Sequence, residues 1–95
     1  MRKNKTDKNQ KAICAGLQKV GATVAYLQGV KGGCPDLIVG YKGKNYLFEI
    51  KNPETNGQLN DLQKEFFANW KGQVVVIKTL KEAYGFLGIE RNVTA

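Results

Sequence analysis

Three charged residues, Asp36, Glu49 and Lys51, are the part of this sequence best suited to chemistry. Each stands in or beside an apolar, β-prone run, and a turn around Gly43 separates the first from the other two. In an antiparallel hairpin the start of one strand lies beside the end of the next. Asp36 is seven residues before Gly43, and Glu49 and Lys51 are six and eight residues after it. The three charges should therefore meet at one end of the hairpin.

Two carboxylates beside an amine are the groups that metal-assisted phosphate chemistry requires. Mg²⁺ takes one or two protein carboxylates and completes its octahedral shell with water and substrate phosphate. Asp36 and Glu49 are therefore candidate metal ligands, and the main-chain carbonyl of Ile50 is a further one. Lys51 is placed to orient or deprotonate a water, or to neutralise a charged phosphate. The alternative is a turn residue at 36 and a solvent-exposed Glu49–Lys51 pair worth about 0–1 kcal/mol.

The residue types that are missing narrow the possible chemistry. The 95 residues include no histidine, so hydrolysis has to rest on carboxylates, lysine and metal. There is also no serine, and no nucleotide-binding fingerprint that would indicate a small-molecule cofactor. Cys14 lies in an apolar-periodic segment and is predicted to be a small core residue. Cys34 lies in a glycine-rich loop without a histidine to activate it, so it is not expected to be a nucleophile.

The charge balance points to a polyanionic partner. Fifteen basic and eight acidic residues give a net charge of +7, which favours nucleic acid, although a basic domain without such a partner is the alternative. Candidates for phosphate contacts are loop glycines and lysines: Lys31, Gly32, Gly33, Lys42, Lys44, Lys64 and Lys71. Tyr41, Tyr46 and Trp70 are expected to pack inside the fold and not to stack on bases. The apolar runs are too short to cross a membrane, so a cytoplasmic protein with no membrane association is expected.

The elements that must position these residues are predicted in the order α-β-β-β-α-β-α. Apolar periodicity predicts helices over residues 9–20, 59–70 and 80–87, and β-prone runs predict strands over 23–27, 36–41, 45–51 and 73–78. Expected helix ends are a cap at Thr6 or Asp7, terminating glycines at Gly21 and Gly72, and a capping box from Asn60 and Gln63. One α/β domain over residues 1–95, with a mixed four-stranded sheet flanked by helices, is the economical arrangement.

The sequence also resembles a known nuclease family. Gly33-Cys34-Pro35-Asp36, followed at thirteen residues by Glu49-Ile50-Lys51, matches the Pro-Asp…(Asp/Glu)-x-Lys signature of the PD-(D/E)XK superfamily. The wider string over residues 29–51 resembles its VRR-NUC branch, which includes small stand-alone proteins of phages and prophages. The resemblance runs over about residues 7–88. It implies a restriction-endonuclease-like αβββαβ core that hydrolyses phosphodiester bonds with Mg²⁺, for which Mn²⁺ is expected to substitute.

The resemblance also assigns roles to residues. It makes Asp36 and Glu49 the metal-binding carboxylates and Lys51 the active-site lysine. Gln63 stands where the branch commonly carries a glutamine, which touches the phosphate or orders a water. Many relatives place a glutamate in the first helix near the metals, whereas this chain has Asn9 and Gln10 there. Neutral amides bind Mg²⁺ more weakly, so Gln10 is a weaker candidate ligand, and a helix start that faces water is the alternative.

The expected function is that of a phage- or prophage-encoded DNA endonuclease selective for branched or flapped DNA, similar to a Holliday-junction resolvase. Sequence selectivity is not expected, because nothing beyond the core is left to read base edges. Cutting both strands at a junction requires two active sites, so a twofold homodimer is expected. The alternative is a catalytically inactive nucleic-acid-binding module on the same fold, and the missing first-helix glutamate favours it.

Overall fold

The computed structural model describes the backbone of residues 5–90 and the side chains of residues 8–90. These residues form three helices and four strands in the predicted order. The bounds are α1 (Lys5–Lys19), β1 (Thr23–Tyr26), β2 (Leu37–Tyr41), β3 (Lys44–Ile50), α2 (Asp61–Asn69), β4 (Val74–Ile77) and α3 (Leu80–Leu87). The four strands make one sheet in the order β1-β2-β3-β4. Its β1–β2 and β2–β3 pairs are antiparallel and its β3–β4 pair is parallel, which confirms a mixed α/β fold.

The turn between β2 and β3 sets the register of the hairpin. Only Lys42 and Gly43 lie between the strands, and both have positive φ, 49° and 78°. Positive φ at both positions is what a two-residue type I′ turn requires, and glycine adopts it without a steric penalty. The resulting register pairs Leu37 with Phe48. Continued by one residue, it places Asp36 opposite Glu49.

The hydrophobic core lies on one face of the sheet, under α1 and α3. On β3 the side chains of Tyr46, Phe48 and Ile50 belong to this core, as strand alternation predicts. Cys14 is also buried there, which confirms its prediction as a core residue. The helices contribute Ile13, Cys14, Leu17, Ala83, Tyr84 and Leu87. A buried hydrogen bond from the Tyr84 hydroxyl to the Gly16 carbonyl, 2.9 Å long, ties α3 to α1.

The ends of the helices correct two of the predictions. The predicted cap at Thr6 or Asp7 is wrong, because α1 already includes both residues. Gly72 does not end α2: the helix stops at Asn69, and the N–H of Trp70 donates to the carbonyl of Phe66. None of the helices in the described part of the chain has the length and apolar character needed to span a membrane.

The remaining helix ends follow local capping rules. Gly21, two residues after the end of α1, has φ +91° and ends the helix as predicted. The capping box of α2 is present in both directions between Asn60 and Gln63. A second capping box, between Thr79 and Glu82, starts α3 and was not predicted, although its Thr-x-x-Glu pattern is legible in the sequence.

Candidate metal and phosphate site

Asp36 stands one residue before β2, where it bridges the two strands of the hairpin. Its carbonyl accepts a 2.9 Å hydrogen bond from the N–H of Leu27, which continues the pairing with β1. Its side-chain Oδ2 accepts a 2.8 Å hydrogen bond from the N–H of Ile50. Since the N–H and C=O of a residue in a strand point to the same side, the Ile50 carbonyl also faces the side of β3 on which Asp36 lies. The proposed main-chain ligand is therefore on the same side of the strand as the carboxylate.

Glu49 is a buried carboxylate on the face of the sheet opposite the core. Its residue is 4% exposed, and it is the one buried charged residue among those whose side chains are described. Its Oε2 accepts a 3.0 Å hydrogen bond from Gln63 Nε2 and lies 3.4 Å from Lys51 Nζ. Its Oε1 is buried with no hydrogen-bond partner among the described residues. A buried acceptor without a partner is costly, so a cation or a proton is expected at this atom.

The surroundings of Glu49 disfavour its charged form. Burial is the main cause that raises its pKa to about 7, and the negative charge of Asp36 is the second. Lys51 acts in the opposite direction through its positive charge and its hydrogen bond. The carboxyl groups of Asp36 and Glu49 are therefore close enough to repel each other when both are ionised. A divalent cation between them would remove that repulsion.

Lys51 and Gln63 complete a small network around Glu49. Lys51 follows β3 directly, and its N–H donates to the Ile77 carbonyl at 3.0 Å. Its ammonium lies 3.1 Å from Gln63 Oε1. The same Oε1 accepts a 2.9 Å hydrogen bond from the N–H of Asn60. Gln63 thus caps α2, as predicted, and also joins the carboxylate to the amine. Its predicted contact with substrate phosphate stays a prediction.

Asn9 is a residue that the sequence pattern left ambiguous and the structure brings to the site's edge. Its Nδ2 donates to the carbonyl of Lys51 at 2.9 Å and to that of Lys78 at 2.8 Å. These carbonyls lie at the ends of β3 and β4, so for Asn9 the alternative of a helix start facing water is wrong. A carboxylate only accepts hydrogen bonds, so an amide is required for these two contacts. Gln10, half-buried at the next position, stays a candidate ligand.

The glycine loop packs against the start of α2. Gly33 has φ +77°, and a Cβ there would clash with the Leu62 carbonyl and lie 2.8 Å from the backbone nitrogen of Gln63. Close packing therefore explains why glycine is required at position 33. Lys31 and Gly32 are exposed on the same loop, where a phosphate contact stays a prediction.

The predicted lysine contacts fall on two separate parts of the surface. Lys42 and Lys44 are exposed at the turn, the end of the hairpin opposite Asp36 and Glu49. At about 3.4 Å per residue, that end is roughly 15–20 Å from Glu49. Lys31, Lys64 and Lys71 are exposed on the glycine loop and around α2. The structure thus brings Asp36, Glu49, Lys51 and Gln63 together and leaves Lys42 and Lys44 apart.

Cys34 lies beside the carboxylates as a free, half-buried thiol. Burial raises its pKa, and the negative charges of Glu49 and then Asp36 raise it further. The reactive species of cysteine is the thiolate, so this environment suppresses its reactivity. This agrees with the expectation that Cys34 is not a nucleophile.

The donor set is small. Within residues 8–90, whose side chains are described, no three His, Cys, Asp or Glu side chains lie close enough together to ligate one metal ion. Two carboxylates and a main-chain oxygen are a set that Mg²⁺ accepts when water and phosphate complete its shell.

Comparison with models of protein families, with curated proteins and with solved structures finds no match for this chain. Function has therefore to be inferred from the residues and their geometry.

Proposed function

We propose that this protein is a magnesium-dependent DNA endonuclease whose active site is formed by Asp36, Glu49 and Lys51. The observation that carries the proposal is the buried Glu49 carboxylate beside Asp36, whose Oε1 has no partner among the described residues. Lys51 offsets part of the negative charge at Oε2, but a buried acceptor without a partner beside a second carboxylate is unfavourable, and a bound cation offsets that cost. The resemblance of residues 29–51 to the VRR-NUC branch supports the same assignment.

The residues present fit a hard divalent cation. Asp36 and Glu49 would hold Mg²⁺ through carboxylate oxygens, and the Ile50 carbonyl is a third protein ligand. When bound there, Mg²⁺ would polarise the scissile phosphate and lower the pKa of water, which is chemistry that a histidine base supplies in other hydrolases and that this histidine-free chain lacks. Mn²⁺ is expected to substitute, since it accepts the same oxygen ligands.

The side chains around the carboxylates have separate tasks. The Ile50 N–H holds Asp36 Oδ2, which fixes the carboxylate beside Glu49. Gln63 Oε1 holds the Lys51 ammonium 3.1 Å away, within 3.4 Å of Glu49. At this position the ammonium either stabilises negative charge on the phosphate or exchanges a proton with the attacking water. Held by packing and hydrogen bonds, these groups need little rearrangement before the reaction.

The proposed substrate is branched or flapped DNA, cut as by a junction resolvase. The net charge of +7 favours a polyanion, and so small a domain leaves few residues to read base edges.

Cleavage of both strands at a junction requires two active sites, so we propose a twofold homodimer. Light scattering at micromolar concentration tests it, and a strict monomer would reject it. The two free thiols suit a reducing compartment such as the cytoplasm of a phage host.

The direct test is cleavage of a panel of linear, nicked, flapped and four-way DNAs in Mg²⁺, Mn²⁺ or EDTA. We expect cutting in either metal and none in EDTA. Asp36→Asn and Glu49→Gln should each slow it by at least about a hundredfold, because each removes a ligand without changing shape. Glu90→Gln, which removes one negative charge from an exposed residue, is the matched control and should cut as wild type does. Metal-independent cutting, or a full rate in Glu49→Gln, would reject the proposal.

A second candidate function is a nucleic-acid-binding module that does not cut. One observation favours it: the side chain of Asn9 donates to two backbone carbonyls in the region where many relatives carry a glutamate near the metals. On this alternative, branched DNA binds equally well in Mg²⁺, Mn²⁺ and EDTA and stays intact in all three. Binding by Glu49→Gln would then match that of the wild type, because no metal site contributes.

A further inference from the structure

Helix α2 carries a row of apolar side chains that the fold does not bury. Leu62 and Phe66 of α2 and Trp70, the residue directly after the helix, follow one another at steps of four residues and line the same cavity. Leu62 is 58% exposed and Trp70 47% exposed, and within the described structure none of the nine α2 residues is buried. A surface helix normally turns its apolar stripe into the core. This stripe is instead available to a partner, and we call it the α2 stripe.

The rings of the α2 stripe are held in place. Phe66 and Trp70 are stacked, with ring centroids 5.0 Å apart and an angle of 15° between the ring planes. On Gly72 an added Cβ would lie 2.8 Å from Trp70 Nε1, so the indole rests against that glycine. The expectation that the aromatic rings pack holds for Tyr46, which is buried, and for half-buried Tyr41. For Trp70 the expectation of packing inside the fold is wrong: its indole contacts Phe66 and Gly72, but 47% of the residue is exposed.

The α2 stripe borders a shallow cavity of about 320 Å³, closed on another side by Gly32 of the glycine loop. This volume is at the low end of the roughly 300–1,000 Å³ typical of ligand cavities. Glu65 and Asn69 also line it and place polar groups at the rim of an apolar surface. A flat, partly polar group such as a nucleobase matches such a cavity, because its faces are apolar and its edges form hydrogen bonds.

Position and charge favour a nucleic acid as the occupant. Gln63, next to Leu62, contacts both Glu49 and Lys51, so the stripe begins at the candidate active site. Trp70 lies seven residues further, about 10 Å along the helix axis at 1.5 Å per residue. That distance corresponds to roughly three nucleotides at 3.4 Å each.

The lysines around the stripe distinguish a polyanion from a second copy of the chain. The exposed Lys31, Lys64 and Lys71 flank it, against the acidic Asp61 and Glu65 of α2. A twofold contact through the stripe itself would bring these lysines near the same lysines of the other copy, whereas a phosphate backbone is attracted to them.

We propose that the α2 stripe binds the bases of unpaired nucleotides next to the scissile phosphate. The inference rests on the proposed function, since it deepens the substrate class of that site. An unpaired base stacks on an exposed indole whatever its identity, and the lysines then contact the phosphates. In a continuous duplex the bases are already stacked on one another. The stripe therefore gives a physical reason for preferring flapped or branched DNA.

Trp70 is the only tryptophan of the chain, so its fluorescence reports on the α2 stripe alone. In EDTA, where no cutting is expected, the wild type is titrated with a single-stranded thymine oligonucleotide and with a blunt duplex of the same length. We expect the single strand to quench Trp70 strongly and the duplex to leave its emission nearly unchanged. Binding of the single strand without quenching would overturn the inference.

Three variants sharpen this test, with affinities measured by anisotropy of a labelled oligonucleotide. Trp70→Leu keeps an apolar side chain and removes the stacking surface, so single-strand affinity should fall roughly tenfold or more, with little change for the duplex. Phe86→Leu is the matched control, since Phe86 is a similarly exposed aromatic residue (49%) on α3, and its affinity should stay that of the wild type. Gly72→Ala pushes the indole aside and should give an intermediate loss. Unchanged affinity in Trp70→Leu, with its fold verified by circular dichroism, contradicts the inference.

A second copy of the chain is the rival occupant. If the stripe formed the dimer interface, the Trp70 emission would shift to the blue as protein concentration rises, and Trp70→Leu would be monomeric in sedimentation. That result overturns the inference. Cleavage in Mg²⁺ is measured separately. Cutting without Trp70 quenching would reject base binding by the α2 stripe and leave the proposed nuclease function standing. Quenching without cutting would reject the nuclease function and leave base binding standing.

Discussion

The two faces of the sheet differ in what their buried residues are. Phe48 and Glu49 are neighbours on β3 and almost equally buried, at 0% and 4% exposure, but they point to opposite faces. Phe48 lies in an apolar core closed by α1 and α3. Glu49 lies on the face where α2 starts, in contact with Gln63, and α2 has an exposed apolar row. One face therefore holds the apolar core, whereas the other holds a buried charge that is costly to keep in the folded state.

The largest effect is expected on the closed face. Phe48→Ala removes a ring with no exposed surface and should lower the free energy of unfolding by about 3–5 kcal/mol. The free energy of unfolding of a small domain is only about 5–15 kcal/mol in total, so the variant should be close to unfolding. Urea denaturation followed by circular dichroism measures the loss. A loss below 1 kcal/mol would show that this face of the sheet does not carry the stability of the fold. If Phe48→Ala does not fold, the same measurement is made on Ile77→Val, a milder change at another buried position.

The second effect concerns the buried charge and has a defined pH dependence. The pKa of Glu49 is raised from 4.5 to about 7 in the folded protein, so the folded state holds this proton more tightly than the unfolded state. Its contribution to stability is full below pH 4.5, decreases as the pH rises, and has fallen by about 3 kcal/mol above pH 7. Glu49→Gln is neutral at every pH and lacks this loss.

Urea denaturation in EDTA at pH 5 and pH 8 measures this difference. We expect Glu49→Gln to be more stable than the wild type at pH 8, with a smaller gap at pH 5. Because the titrating groups outside the site are common to both proteins, the comparison reports on the coupled Asp36–Glu49 pair. Equal pH dependence in the two proteins would show that the carboxylate is not buried against Asp36.

A third effect tests the connection between the two faces. Asn9 reaches from α1 to the carbonyl of Lys51, so Asn9→Ala should lose two hydrogen bonds and about 1–3 kcal/mol of stability. Since that carbonyl belongs to the proposed active-site lysine, cleavage should also slow about 10- to 100-fold in kcat, with KM for DNA nearly unchanged.

Two further variants separate Asn9's positioning role from other causes. Asn9→Asp cannot donate the two hydrogen bonds, so its stability and its kcat should be no higher than those of Asn9→Ala. Lys8→Ala changes an exposed neighbouring residue of α1, so its stability and its kcat should match those of the wild type. If KM rises instead and kcat holds, Asn9 acts on DNA binding and not through Lys51.

The smallest effect is expected on the open face. Leu62→Ala trims a side chain that is 58% exposed, so the free energy of unfolding should change by about 0.5 kcal/mol or less. Thermal unfolding in parallel with Phe48→Ala gives the contrast directly. A loss of 2 kcal/mol or more in Leu62→Ala would mean that α2 is part of the core after all.

Much of the fold follows from local rules and was predictable. Alternation along β3 separated Phe48 from Glu49, and the residues of the turn defined the hairpin. Asn60 and Gln63 form the expected capping box. The predicted caps at Thr6 or Asp7 and at Gly72 failed, because several polar or glycine residues near a helix end satisfy the same rule and the chain uses only one.

The candidate site was predictable in its members but not in its environment. Spacing alone indicated that Asp36, Glu49 and Lys51 converge. The raised pKa of Glu49 depends on how completely the surrounding chain excludes water, which residue types do not specify. The hydrogen bonds of Asn9 to residues 42 and 69 positions away could not be found from a local pattern.

By itself, the sequence determined the order of elements, the face on which each strand residue lies, and the end of the hairpin where the charges meet, since backbone geometry and periodicity act over a few residues. Only the tertiary structure decided that Glu49 is buried with an oxygen that has no partner within residues 8–90, that Asn9 joins α1 to the strand ends, and that Trp70 stays half-exposed. Burial and long-range hydrogen bonding depend on which distant segments pack together, and packing is a property of the whole chain.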